Sequence, residues 1–370
     1  EFGLDPRARV DHAFDAHHKT ALAARALVQQ RFGRAPDHAY FSGCSGGGRQ
    51  GMMFAQRYPE LFDGITAGAP AMRVASGATV AAMWNSQRLL EIAPKDASGA
   101  PILSRAFSPA DLDVVAKGVL QACDAADGVV DGMVQAFPQC RFDPAVLQCP
   151  PGQAQGCLSA PQVSALKAIF AGPENSAGRA LYAGQPWDPG IVGPNWRMWV
   201  LGSSTTPQPD SRYVFLMVDA LKHEFFTPPD PGFDWRRFDV DRDPARMMWF
   251  SALYDTYEDT RLAAFRARGG KMLFVHGVSD PIFSALELRE YYDALAANHG
   301  GVDRAQGFAR AFFVPGMNHC SGGPATDQFD SIQAMVDWVE KGQAPERIVA
   351  SALPSNAWFP NRTRPLCPYP

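Results

Sequence analysis

The stretch FSGCSGGGRQG, residues 41–51, limits the fold more than any other part of the chain. Gly43 and Gly47 flank Ser45 in the pattern G-x-S-x-G, which lets a serine sit on a sharp turn between a strand and a helix with its hydroxyl presented outward. The flanks agree with that reading. HAYFSG reads as a short buried strand, and RQGMMFAQRYPELF has helical periodicity. Upstream, residues 11–33 read as a helix stopped by Gly33, and downstream DGITAGAP reads as the next strand. Helix, strand, turn, helix, strand is the rhythm of a parallel sheet covered by helices.

The rhythm breaks at about residue 73. From there to 255 the chain is rich in Pro, Gly, Trp and Cys, with helices such as SAPQVSALKAIFAG but few strands. That is too long for a loop and too irregular for more sheet, so it reads as an inserted lid. The sheet pattern returns with GGKMLFVHGVSDPIFS, a helix over LELREYYDALAANHG, the strand in ARAFFVPGMNHCSGG and a helix over QFDSIQAMVDWVEKG. The expected division is a core of residues 1–72 and 256–370 around a lid of residues 73–255. The expected fold is an α/β-hydrolase core, a mostly parallel sheet with helices on both faces, carrying that large inserted lid.

A serine hydroxyl needs a base to take its proton, and the base needs a third group to fix its tautomer. Asp280 follows the apolar run MLFVHG and His319 follows AFFVPG, so both lie just past later strands. Serine, aspartate, histidine is the chain order of α/β-hydrolase triads. Ser45 reads as nucleophile, His319 as general base and acid, Asp280 as the group that orients the imidazole, and the Gly46 N–H as an oxyanion donor. His276 also sits at a strand end, as a structural neighbour of Asp280. A reactive serine has no need of an adjacent thiol, yet Cys44 precedes Ser45 and Cys320 follows His319. Triad geometry brings those segments together, within the roughly 4.4–6.8 Å Cα separation that a disulfide requires. A Cys44–Cys320 bridge would staple nucleophile to base and, in the chain-entropy account, contribute about 4 kcal/mol or more.

The other five cysteines are Cys123, Cys140, Cys149, Cys157 and Cys367, with no C-x-x-C pair or zinc spacing among them. Disulfides therefore fit, and with them an oxidising compartment, secreted or periplasmic. Cys123 and Cys140 bracket CDAADGVVDGMVQAFPQC, and Cys149 and Cys157 enclose PPGQAQG, giving a second and a third bridge. Cys367 is left over, which implies a partner outside the sequence. Inside the first bracket, Asp124, Asp127 and Asp131 place hard carboxylates on one glycine-bearing loop, a pattern suited to calcium but with neither the spacing nor the closing Glu of an EF-hand.

Composition removes other classes. With 34 basic against 38 acidic residues there is no polycationic face for nucleic acid, and no run of about 18 apolar residues could cross a membrane. A small-molecule partner fits better; the oligomeric state is open.

Taken together, GCSGGGRQG, SDP and GMNHC resemble the tannase and feruloyl esterase family. The resemblance covers most of the chain and implies an α/β-hydrolase core with a lid, a Cys-Ser, Asp, His-Cys arrangement, and action on esters of aromatic acids such as ferulate or gallate. The same family includes a hydrolase of terephthalate monoesters, which is the alternative substrate class. The resemblance also implies a structural calcium ion in the lid, held by Asp124, Asp127, Asp131 and the carbonyls of Val129 and Met133. Family members carry further strands and a second oxyanion donor upstream, so an N-terminal portion is expected beyond the sequence given.

For substrate contact the first choice is Phe283. One or two of Trp187, Trp196, Trp199, Phe215, Phe225, Phe226 and Trp235 are expected beside it, the rest being core. Arg212, Lys222 and His223 are the cations available for a substrate carboxylate. A reading from another class is a catalytically inactive, calcium-dependent binding protein.

Overall fold

The computed structural model describes residues 2–370. Helix α1 (Ala16–Phe32) leads to strand β1 (Tyr40–Cys44), helix α2 (Gly46–Arg57) and strand β2 (Gly64–Gly68). Between β2 and the next strand lie five main helices: α3 (Thr79–Ile92), α4 (Pro109–Cys123), α5 (Ala160–Ala171), α6 (Pro194–Val200) and α7 (Asp243–Tyr254). The sheet resumes with β3 (Lys271–Gly277), and α8 (Ala285–Asn298) leads to β4 (Ala309–Val314). Helix α9 (Ser331–Lys341) and a hairpin-like pair, β5 (Ile348–Ser351) and β6 (Thr363–Leu366), complete the chain.

The main sheet is four-stranded and parallel in the order β1-β2-β3-β4. Both of its faces are covered, as a parallel sheet requires, and the period of two along each strand sorts the side chains. Met272 and Phe274 of β3 join a large apolar cluster with Ala309, Ala311 and Phe313 of β4. Leu273, Val275, Phe312 and Val314 point the other way, onto Met335 and Trp338 of α9 and Ile348, Ala350 and Leu366 of the small antiparallel pair.

The inserted segment has no core of its own. Phe225, Phe226 and Phe250 belong to the same buried cluster as Met52 and Met53 of α2 and Phe274 of β3. The expected helix at 160–171 is present with a full capping box at Ser159 and Gln162. The small β5–β6 pair was not expected, because TRPL carries a proline and each strand is only four residues long.

Candidate functional site

The site lies at the carboxyl ends of the parallel strands. Helix α2 begins immediately after Ser45, whose backbone is held at φ 64° and ψ −123°. A positive φ is costly for a serine, roughly 1–3 kcal/mol, and surrounding bonds impose it. The Ser45 N–H donates to the Gly68 carbonyl at 2.9 Å, and the Ser45 carbonyl accepts from Ala71 and Arg49, each at 3.1 Å. The glycines explain themselves. A Cβ on Gly43 would lie 2.8 Å from the backbone of Gly47, and one on Gly48 would lie 2.4 Å from the Gly68 oxygen. By contrast, a Cβ on Gly46 would meet nothing within 4 Å, so space lies open where α2 begins.

Asp280 and His319 meet as the sequence predicted. His319 Nδ1–H donates to Asp280 Oδ2 at 2.7 Å, and the other carboxylate oxygen accepts the N–H groups of Ile282 at 2.9 Å and Phe283 at 3.0 Å. Burial pushes the Asp280 carboxyl up, but the charge and hydrogen bond of His319, with His276 and the Phe283 N–H, outweigh it and hold the carboxyl below its usual range. His276 is fully buried 3.8 Å from Asp280 Oδ2. Its Nε2–H donates to the Phe283 carbonyl at 2.9 Å, and burial lowers its basicity, so it is a neutral imidazole that shapes the acid loop.

Three disulfides close as read from the sequence. Cys44–Cys320 has its Cα atoms 6.0 Å apart across 276 positions of sequence, which brings the residues next to Ser45 and His319 together. Cys123–Cys140 and Cys149–Cys157 are the other two. Cys367 is unpaired and exposed.

On the substrate side, Phe283 packs its ring edge against His319 at 5.3 Å but is only 3% exposed, so it shapes the imidazole's surroundings more than it offers a free face. Trp196, Phe225, Phe226 and Trp235 are core, and Trp187 stacks on Phe170 at 3.8 Å. Trp199 differs. Its ring meets His319 edge-on at 5.3 Å, and its buried indole N–H has no partner. The Arg212 guanidinium lies 5.4 Å over that same ring. His223 is engaged with Asp219 at 3.0 Å, whereas Arg212 reaches a ring that touches His319.

The Asp-rich loop is arranged differently. Asp124 accepts from the N–H groups of Asp131 and Gly132, Asp127 from Val129, and Asp131 from Met133 while contacting Arg364. Among the described residues no group of three or more His, Cys, Asp or Glu side chains converges as a metal cage. Even so, Asp127, Val129, Asp131 and Met133 line one cavity of about 220 Å³ together with Arg364 and Cys367. The hard oxygen donors suit calcium in kind, and the guanidinium supplies positive charge at Asp131.

One buried acid near the site went unread in the sequence. Glu287, in the first turn of α8, is 1% exposed, with neither carboxyl oxygen hydrogen-bonded and Arg73 3.8 Å away. Burial pushes its pKa up to about 8.

A serine at a strand-to-helix elbow, followed at later strand ends by a paired aspartate and histidine, defines an α/β-hydrolase. More narrowly, a profile of the family described as tannase and feruloyl esterase matches residues 1–370, and the chain belongs to that family. It is 42% identical over 403 aligned positions to the mono(2-hydroxyethyl) terephthalate hydrolase of Piscinibacter sakaiensis, covering 100% of this chain and 66% of that protein. A probable feruloyl esterase of Arthroderma benhamiae is 29% identical over 363 positions, 95% of this chain and 64% of the relative. The chain thus spans slightly less than two thirds of the length of these relatives. Among solved structures, an esterase from Aspergillus oryzae superimposes with a TM-score of 0.83 at 27% identity, covering 100% of this chain and 72% of the other.

Proposed function

We propose that the protein is an exported serine esterase that cleaves esters of aromatic carboxylic acids through an acyl-enzyme, with residues 73–255 forming a lid over the site. The observation that carries the reading is the 2.7 Å bond from His319 to Asp280, held beside Ser45 by the Cys44–Cys320 bridge. The names of the relatives, a terephthalate monoester hydrolase and a feruloyl esterase, support the aromatic acyl group. Export is supported by the three disulfides.

The chemistry follows from the geometry. His319 Nε2 takes the Ser45 proton as Oγ attacks the ester carbonyl, while Asp280 holds Nδ1 protonated and stabilises the imidazolium. The Gly46 N–H, the first of α2, donates to the developing oxyanion. Collapse expels the alcohol with the proton returned by His319, and water repeats the sequence to release the acid. A calcium ion would be held by the carboxylates of Asp124, Asp127 and Asp131 and the carbonyls of Val129 and Met133. Its role would be structural, as part of the lid rather than of the triad.

A second reading narrows the substrate to terephthalate monoesters. What supports it is a cation near the aromatic contact: Arg212 lies over Trp199, whose ring meets that of His319. The test is acid release from methyl ferulate, methyl gallate and a terephthalate monoester, with Ser45→Ala as control. Release of ferulate or gallate supports the first reading, and terephthalate alone the second. No release, together with no labelling of Ser45 by a fluorophosphonate, overturns both in favour of a binding protein.

A further inference from the structure

Asp188 belongs to the inserted segment and is 3% exposed. Its carboxylate accepts the hydroxyl hydrogen of Ser279, the N–H of Gly190 at 3.0 Å and, with both oxygens, the N–H of Gly316 at 3.1 and 3.2 Å. Ser279 immediately precedes Asp280, and Gly316 lies on the loop that carries His319. The same short segment makes the complementary contact: Asn318 Nδ2 donates to the Gly190 carbonyl at 2.9 Å and to the Ser279 carbonyl at 3.2 Å. Asn318 immediately precedes His319. A few residues on, Asn195 donates to the His319 carbonyl at 3.1 Å.

The residue before the acid and the residue before the base are therefore each bonded to one stretch of the insertion. The fit leaves no slack, since a Cβ on Gly190 would lie 2.5 Å from the Gly316 oxygen and one on Gly193 would lie 2.0 Å from Asn318 Oδ1. Burial pushes the Asp188 carboxyl up to about 6 despite these donors. A carboxylate kept in so dry a place with four donated bonds is expensive for folding alone.

We propose that Asp188 is a positioning residue: it clamps the loops after β3 and β4 to one another and so fixes the Asp280–His319 contact, making seating of the insertion a condition of catalysis. This rests on the triad reading above. Misplacing a catalytic pair by about 1 Å costs about 10²-fold, and that is the loss expected in kcat for Asp188→Ala, with KM unchanged. Asp188→Asn, which keeps one acceptor oxygen for Gly316, is expected to recover part of it.

The experiment measures kcat per active site, with sites counted by fluorophosphonate titration, and the downfield proton resonance of the His319 Nδ1–H in parent, Asp188→Ala, Asp188→Asn and Ser279→Ala. A full count of sites, each turning over slowly, with the downfield resonance shifted or lost, is the expected result. Unchanged turnover per titrated site, or an unchanged resonance, overturns the proposal. Should Asp188→Ala not fold, Asp188→Asn and Ser279→Ala read the same two quantities. If the parent releases no acid from any aryl ester, the esterase reading has failed, and the resonance alone still decides whether Asp188 sets the pair.

Discussion

Two disulfide-bearing regions of this chain are built on opposite plans. Around Ser45, Asp280 and His319 the bonds reach far along the sequence: the Cys44–Cys320 bridge spans 276 positions, and the Asp188 contacts span 91 and 128. In the loop 123–140 the bridge spans 17 positions, and each aspartate accepts backbone N–H groups no more than 8 residues away, Arg364 at Asp131 being the distant contact. The first region is assembled only when the whole chain has folded. The turns of the second are held by local backbone bonds, and Asp127, Val129, Asp131 and Met133 line a cavity. Precision at the proposed reacting centre calls for long-range restraint, whereas the proposed cation site would be served by a local loop with hard donors.

Ser45→Ala is expected to lower kcat for aryl ester hydrolysis by at least ~10⁴-fold, and Asp280→Asn by about 10⁴-fold through the wrong imidazole tautomer. Steady-state rates corrected for contaminating esterase check this; retention of a tenth of the activity by either variant removes the triad assignment. Next, Cys44→Ser with Cys320→Ser is expected to cost about 2–5 kcal/mol of unfolding free energy and a larger share of kcat than the equivalent change at Cys149 and Cys157. Equal losses of activity at the two bridges would erase the contrast.

Glu287 gives a subtler probe of the long-range region. Its folded-state pKa of about 8 lies above the ordinary value of 4.5, so its contribution to stability is fully present below about 4.5 and lost as pH rises through about 8. Denaturant unfolding should show stability falling toward pH 8 with a slope of up to about 1.4 kcal/mol per pH unit from this group. Glu287→Gln should flatten that slope, and an identical slope in parent and variant would count against the assignment. The smallest effect belongs to the local loop. Arg364→Ala removes the cation beside Asp131 and is expected to tighten calcium binding by up to about tenfold, read as a larger rise in melting temperature on adding calcium. A weaker calcium response in the variant would mean that Arg364 supports the site.

The positions of Ser45, Asp280 and His319 were legible because each stands beside a recognisable strand: β1 before Ser45, β3 before Asp280 and β4 before His319. Disulfide partners followed from that geometry and from short brackets. The helices of the insertion were harder, and α3 shows why. Thr79, Val80, Ala81, Ala82, Met83, Asn85, Ser86 and Leu89 are all buried, so the helix is enclosed on most sides and its polar residues blur the apolar stripe that periodicity would detect. Asp188 carried no signal at all. It sits in a Pro- and Gly-rich run, and its meaning depends on Ser279 and Gly316, which no local pattern connects to it. Phe283, read as a substrate contact, lies against His319 and is buried, and that burial depends on how tightly the loop after β3 closes over His276, which spacing does not report.

The 276-position reach of the Cys44–Cys320 bridge also sets an order of events during synthesis. Cys44 is made well before its partner, and four other thiols emerge in between. Those four can pair among themselves across loops of 17 and 8 positions, closures that cost less entropy than any pairing back to Cys44. The competitors are thus consumed by their own neighbours, and the thiol beside Ser45 is still free when its distant mate arrives.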